Sequence, residues 1–180
     1  MISDQLVVRP WRPEEVPLLH EAVLDSLDHL RPWMPWIAAE PLSLAERMAL
    51  VETWARQHEL GERVFGMFVG GVAVGSCGLH PRIGPGGLEI GYWVRAGHTG
   101  RGYATGAARM LTDLMFGDEA IERIEIHHDV ANIASGRVPA KLGYRYVGDV
   151  TRPVQAPSET GVQSVWRVGR DEWLARGHVA

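Results

Sequence analysis

Residues 89–104, EIGYWVRAGHTGRGYA, constrain the fold more than any other stretch of this chain. The first six residues alternate as a strand does. Gly97-His98-Thr99-Gly100-Arg101-Gly102 then interleaves three glycines with polar residues, and a helical pattern begins at Tyr103 or Ala104. A strand that runs through glycines into a helix presents backbone N–H groups at the positive end of the helix dipole. Such a turn is a seat for phosphate. What remains is to find which phosphate-bearing molecule the rest of the chain would accommodate.

The 180 residues suffice for one domain, 1–180, with a substantial core, and 46% apolar with 22% charged residues is ordinary for a globular protein. A net charge of -4 announces no basic surface for nucleic acid. One cysteine, Cys77, excludes an internal disulfide and a cysteine-based zinc cluster. The N-terminal residues lack a basic flank followed by an apolar core, so no signal peptide is expected. No apolar run approaches the eighteen or so residues that span a bilayer. The expectation is a cytoplasmic protein without a membrane partner.

Periodicity orders the elements. Residues 6–8 form a short strand. A helix from about Glu15 buries Leu19, Ala22, Val23, Leu27 and Leu30, and a proline-rich, non-helical connection (residues 29–41, HLRPWMPWIAAEP) follows. Ser43 and Glu46 form a capping box ahead of a helix with Leu44, Met48, Val51 and Ala55 on one face. Gly70-Gly71 joins strands 64–69 and 72–79 as a hairpin. Strand 88–94 precedes the glycine turn, and the next helix buries Ala104, Ala107, Ala108, Leu111, Leu114 and Met115. A strand at 121–128, a short helix at 135–142 and paired strands at 144–150 and 163–168 complete the chain. The order is β-α-α-β-β-β-α-β-α-β-β: an α/β (α+β) domain with a mixed sheet of about seven strands and about four helices on its faces.

The turn alone admits other readings. Gly100, Gly102 and Gly106 approximate a dinucleotide fingerprint, but only one more helix and antiparallel-looking strands follow. A P-loop would need Gly-Lys followed by Ser or Thr, which is absent. The turn could also merely connect strand to helix.

A second constellation, Asn132-Ile133-Ala134-Ser135 followed by Lys141-Leu142-Gly143-Tyr144, joins the first in order and at fitting separation. With EIGYW, GRGYAT and the paired tryptophans of LRPWMPW, these residues resemble the GCN5-related N-acetyltransferase superfamily and, within it, the RimJ/RimL branch of N-terminal-type acetyltransferases. The resemblance covers nearly the whole chain. It implies that backbone N–H groups of Thr99, Gly100, Arg101, Gly102, Tyr103 and Ala104 hold the pyrophosphate of acetyl-CoA or another acyl-CoA, with Arg101 and the Thr105 hydroxyl adding contacts. Thr99 stands where the superfamily pattern has Gln or Arg. Trp93 and Val94 end a strand that splays from its neighbour, where the pantetheine arm and thioester carbonyl meet backbone groups, and Asn132 meets the pantetheine from the facing strand.

The resemblance implies Ser135 as proton donor to the leaving sulfur: the RimJ/RimL branch places a serine three residues after the asparagine, whereas many superfamily members use a tyrosine seven residues after it, a position held here by Pro139. Asn132 and Ser135 could each instead simply cap the short helix. Glu89 lies near the position of a general-base glutamate and could take the amine's proton through water. Trp33, Met34 and Trp36 are candidates for the acceptor wall or for a satellite core, and His127 for the acceptor side. His127 and His128 point to opposite faces of a strand and do not chelate one metal ion easily; His128 reads as a satisfied core histidine, Cys77 as a buried thiol. The resulting expectation is direct acyl transfer to a primary amine on a peptide N-terminus or small molecule. An α-amine, with a pKa of about 7.7 to 8.0, needs only modest help to react. A succinyl donor, a homodimer and a non-catalytic acyl-CoA-binding module stay open, the last because of Pro139 and Thr99; a nicotinamide-dependent enzyme is a more distant alternative.

Overall fold

A computed structural model describes residues 5–58 and 61–177. Seven strands form one sheet in the order β1-β2-β3-β4-β5-β7-β6. They are β1 (Val7–Pro10), β2 (Arg63–Val69), β3 (Val72–His80), β4 (Gly87–Val94), β5 (Arg123–Asp129), β6 (Arg145–Thr151) and β7 (Val162–Gly169). Every neighbouring pair is antiparallel except β4 and β5, which run parallel because α4 (Tyr103–Met115) crosses between them. The expected α/β domain with a mixed, mostly antiparallel sheet is therefore the observed fold.

Alternation along the central strands sorts two cores. Leu88 and Ile90 of β4, Leu79 and Cys77 of β3, and Ile124 and Ile126 of β5 share a face with Ala107, Ala108 and Leu111 of α4. Burying each such isoleucine or leucine contributes about 1.5 to 3 kcal/mol. The opposite face carries Trp11, Phe68 and Ala73, covered by Leu19, Ala22 and Val23 of α1 (Val16–Leu24) and Val51 of α3 (Leu44–Gln57). The glycine hairpin forms as expected, with Gly70 and Gly71 both at positive φ.

Several local expectations are corrected. The first helix does not run to Leu30. It ends at Leu24, where buried Ser26 turns its hydroxyl back onto the Ala22 carbonyl at 2.7 Å, and a separate turn, α2 (Leu27–Leu30), follows. The tryptophan-rich connection contains a 3₁₀ segment, Pro35–Ala39. On α3 the capping box of Ser43 and Glu46 holds, but Leu44, Met48 and Ala55 are exposed, and the inward residues are Arg47 and Val51. Leu114 of α4 is exposed, and Thr112 takes the inner position by bonding Tyr144 at 2.6 Å. Beyond α5 (Ile133–Lys141), a short α6 (Arg170–Leu174) was not foreseen; it seats Trp173 against Tyr144. No described helix is long and apolar enough to cross a membrane.

Candidate active site

β4 and β5 pair only from Gly87–Arg123 to Glu89–Glu125, and then part. The parting has local causes. The Arg95 guanidinium ion-pairs with Glu21 and Asp25 of the α1 end, and the Ala96 N–H donates to Ser26 Oγ at 3.0 Å, drawing the end of β4 towards α1. At the end of β5, Asp129 accepts from Ala131 N at 2.9 Å and Thr160 N at 2.8 Å, holding that strand to the β6–β7 loop. Because Arg95 N donates to Val74 O, residues 93, 91 and 89 direct their backbone groups at β3. The intervening Ile90 directs its N–H at β5, closing the last rung beside Glu125, and Tyr92 and Val94 direct their groups into the gap.

At the end of β4 lies the glycine turn. Gly100 and Gly102 have φ of 74° and 82°, and Gly102 is the N-cap of α4 without a capping side chain. Intrahelical bonding starts with Gly106 N to Gly102 O, so the first-turn amides of Tyr103, Ala104 and Thr105 have no partner within the helix. A Cβ at Gly97, Gly100 or Gly102 would meet no atom within 4 Å, so the glycines serve backbone conformation and leave space above the amides. Thr99 Oγ1 donates to Ala96 O and Arg101 Nη2 to Gly97 O, both at 3.3 Å, which fixes the turn's shape. Burial, then the positive charge of Arg101 and Arg95, holds His98 below the ordinary histidine range. The turn is thus an uncapped, positively biased helix N-terminus, chemically suited to a diphosphate.

Across the gap, Asn132 caps α5 by accepting the Ser135 N–H at 3.1 Å, so the capping alternative holds for Asn132 and fails for Ser135. The Ser135 hydroxyl lies 3.2 Å from the Tyr92 hydroxyl, which donates to the Ser135 carbonyl at 3.0 Å. That carbonyl is open to Tyr92 because residue 139, which would supply its helical N–H, is proline. Pro139 therefore has a structural role that sequence reading missed. Alternation placed Tyr92 on the Ile90 face of β4, the signal from which its position facing α5 could have been read. Burial raises the Tyr92 hydroxyl far above the phenol range, so it is a neutral partner at neutral pH.

The other face of the sheet holds the charged groups. Glu89, 7% exposed, accepts from Arg82 Nε at 2.8 Å and Nη2 at 2.5 Å. Burial pushes this carboxyl up, but Arg82, His127 and His80 together outweigh it and hold it below the ordinary glutamate value. His127 Nδ1 is 3.7 Å from Glu89, its Nε2 is 2.6 Å from Glu125, and Arg167 grips Glu125 at 2.6 Å. Opposed glycines, Gly78 and Gly91, leave the floor beside them without side chains. Trp33, Met34 and Trp36 form the far wall, with the Trp36 ring tilted at 51° to Trp93 and their centroids 5.9 Å apart. The Trp93 side chain belongs to this wall. His128, on the α5 side, is satisfied as expected: Nε2 accepts from Trp166 at 3.0 Å and Nδ1 is 2.8 Å from Asp129 O.

One cavity of about 950 Å³ takes in both sides. Glu89, Gly91 and His127 line it from the α3 face, and Tyr92, Asn132 and Ser135 from the α5 face. It passes through the parted strands and ends short of the glycine turn. Cys77 borders it, but burial pushes its thiol up to about 12 and removes it as a nucleophile. Among the described residues, no group of three His, Cys, Asp or Glu side chains could hold a metal ion.

The family model described as Acetyltransferase (GNAT) domain matches residues 5–145. The chain belongs to the GNAT acetyltransferase family. It is an acyl-CoA-dependent N-acetyltransferase, as the resemblance of its motifs implied. A relative in Bacillus subtilis (strain 168), named "Putative ribosomal N-acetyltransferase YdaF", is 26% identical over 147 residues, 79% of each chain. Among solved structures, RimL, a ribosomal L7/L12 alpha-N-protein acetyltransferase in complex with coenzyme A, superposes with a TM-score of 0.84 at 21% identity, covering 94% of this chain and 96% of that one. The microcin C7 self-immunity acetyltransferase MccE, in complex with acetyl-CoA and AMP, gives 0.84 at 15% identity, covering 93% and 94%. Within this GNAT domain, residues 99–105 lie at one end of the gap and Ser135, Asn132 and Glu89 along the cavity. Sequence reasoning had not found Tyr92, Arg82 or Glu125. Glu125 was legible in principle, since it lies two residues before His127 on a strand and so shares its face.

Proposed function

We propose that this GNAT enzyme acetylates the α-amine of a peptide or protein N-terminus, holding acetyl-CoA along the α4–α5 side of the gap and the amine on the α3 side. The observation carrying this reading is the cavity that pierces the sheet between β4 and β5. It lets two substrates approach one point from opposite faces, as direct transfer requires. The names of YdaF and RimL, both ribosomal N-acetyltransferases, support a protein N-terminus as acceptor. The acceptor mouth is framed by the tryptophan loop and the β6–β7 loop, tied together by Ser158 N to Pro32 O at 3.0 Å. Such an open frame suits the end of a chain.

When bound, acyl-CoA supplies the activated thioester. The protein supplies the rest. First-turn amides of α4 receive the diphosphate. The gap-facing amides of Val94 and its alternate neighbours offer fixed donors where negative charge grows on the carbonyl oxygen. The Ser135 hydroxyl, oriented by Tyr92, gives a proton to the departing sulfur. Glu89, ion-paired with Arg82, favours the approach of an ammonium group.

Calorimetry with coenzyme A and thiol release from acetyl-CoA test this reading. A tripeptide with a free N-terminus should release thiol and the same peptide with a blocked N-terminus should not. Ser135→Ala should lower turnover about a hundredfold while leaving coenzyme A affinity unchanged. Absence of coenzyme A binding would overturn the reading, and equal rates with the blocked peptide would overturn the choice of acceptor.

A further inference from the structure

We propose that His127 Nδ1 is the general base that takes the acceptor's proton, with Glu125 as its positioning residue and Glu89 as the anion that holds the ammonium. The proposal rests on the acyl-transfer reading above and names the group that starts it.

His127 is fixed in one orientation. Its Nε2 meets Glu125 at 2.6 Å, and Glu125 is itself held by Arg167 through Nε at 2.7 Å and Nη2 at 2.6 Å. A carboxylate only accepts, so Nε2 is the nitrogen that keeps its proton, and the lone pair of the neutral ring falls on Nδ1. Nδ1 faces Glu89 Oε2 at 3.7 Å. That separation is too long for a direct hydrogen bond and suits one ammonium nitrogen donating to both atoms. Both residues line the cavity.

The charged groups around the ring are paired with one another. The groups facing His127 are Glu89 from β4 with Arg82, Glu125 from β5 with Arg167 from β7, and, further out, His80 from β3 with Glu62 at 2.8 Å. Each carboxylate beside the ring already has an arginine, so two negative and two positive side chains are paired around it. Glu89 is the poorer base for the same reason: its bidentate arginine stabilises the ionised form.

The step balances. His127 Nδ1 accepts one proton from the ammonium, leaving a neutral amine. Its nitrogen lone pair forms the C–N bond at the thioester carbon and the C–S bond breaks. The Ser135 hydroxyl gives its proton to the departing sulfur, and the second proton, lost as the nitrogen becomes an amide, restores that hydroxyl. His127 returns its proton to solvent.

The test has two arms on the full chain. With ¹⁵N-labelled histidine, long-range proton–nitrogen spectra at about pH 8, above the ordinary histidine range, should show the signal lost in His127→Gln as the Nε2–H tautomer. Glu125→Gln should mix the tautomers. An Nδ1–H tautomer, or a ring still doubly protonated, overturns the proposal. In thiol-release assays with acetyl-CoA and an alanyl tripeptide, His127→Gln should lose at least about a hundredfold in rate near pH 7. The loss should shrink towards pH 9 as the amine deprotonates unaided, with coenzyme A affinity unchanged. A loss constant across pH, or an acid limb moved by Glu89→Gln and not by His127→Gln, overturns the assignment of the base. If the wild type fails to bind coenzyme A, the acyl-transfer reading falls and takes this one with it; calorimetry tells that failure from the others.

Discussion

Replacing Tyr92 with phenylalanine should cost more than an ordinary lost hydrogen bond, because proline has already removed the alternative. The Ser135 carbonyl accepts from Tyr92 Oη at 3.0 Å, and Pro139 has no N–H to offer in its place. Tyr92→Phe therefore leaves a half-buried carbonyl unsatisfied, at about 1 to 2 kcal/mol. At roughly 2 to 4 °C per kcal/mol for a domain of this size, Tm should fall by about 2 to 8 °C. In a Pro139→Ala background the restored N–H can serve the carbonyl, so the same tyrosine substitution should cost about 1 kcal/mol less. Urea unfolding of the four proteins, at unchanged m-value, measures the cycle. Turnover should not recover in the double variant, since the Ser135 hydroxyl 3.2 Å from Tyr92 still lacks its partner. A coupling energy within about 0.3 kcal/mol of zero would refute the reasoning, because the two residues would then not share one acceptor.

Other expectations follow from the same geometry. Arg47 and Glu40, both about 2% exposed at the side chain, meet at 2.7 Å behind the tryptophan wall. Glu40→Gln should destabilise by about 3 to 5 kcal/mol in chemical denaturation, whereas Glu40→Leu with Arg47→Met should be near neutral. Gly102→Ala meets no steric obstacle but forces an L-residue to φ of 82°, so it should cost about 1 to 2 kcal/mol and also weaken coenzyme A binding in calorimetry. Burial raises the Asp129 carboxyl, but amides of Ala131, Thr160 and Gly161 and the Thr160 hydroxyl outweigh it and depress the folded value. Its stabilisation is then complete above the unfolded value of about 3.9 and is lost as pH falls through the folded one. Asp129→Asn should flatten that acid limb in a melt series between pH 5 and 2.

The residues that the sequence revealed best were those whose role is backbone conformation or strict alternation. Gly70-Gly71 and Gly100–Gly102 announce turns because few other residues tolerate positive φ, and β3, β4 and β5 announce two faces because period two admits no compromise. Motif order set the glycine turn ahead of Ser135, and strand alternation set Glu89 on the face opposite Ile90, as the structure has them. What escaped was decided by partners distant in the chain. α1 stops where Ser26 bonds its own helix and receives Ala96 from the other end of the sheet. Leu114 is apolar yet exposed, while polar Thr112 is buried on a hydroxyl of Tyr144, 32 residues away. The contact of Trp93 with Trp36 joins residues 57 positions apart. Nothing near Glu125 in the sequence says that Arg167 will hold it.

The parted strands leave this sheet with an edge in its middle instead of only at its rims. A rim is open to any neighbouring chain, and proteins must defend it against edge-to-edge aggregation. An interior edge needs no such defence, since α1 and α5 wall it off and admit only something slender and extended. The free backbone groups of Tyr92 and Val94 thus make the fold one ribbon short by construction, and a ligand long and narrow enough to lie along them would complete it.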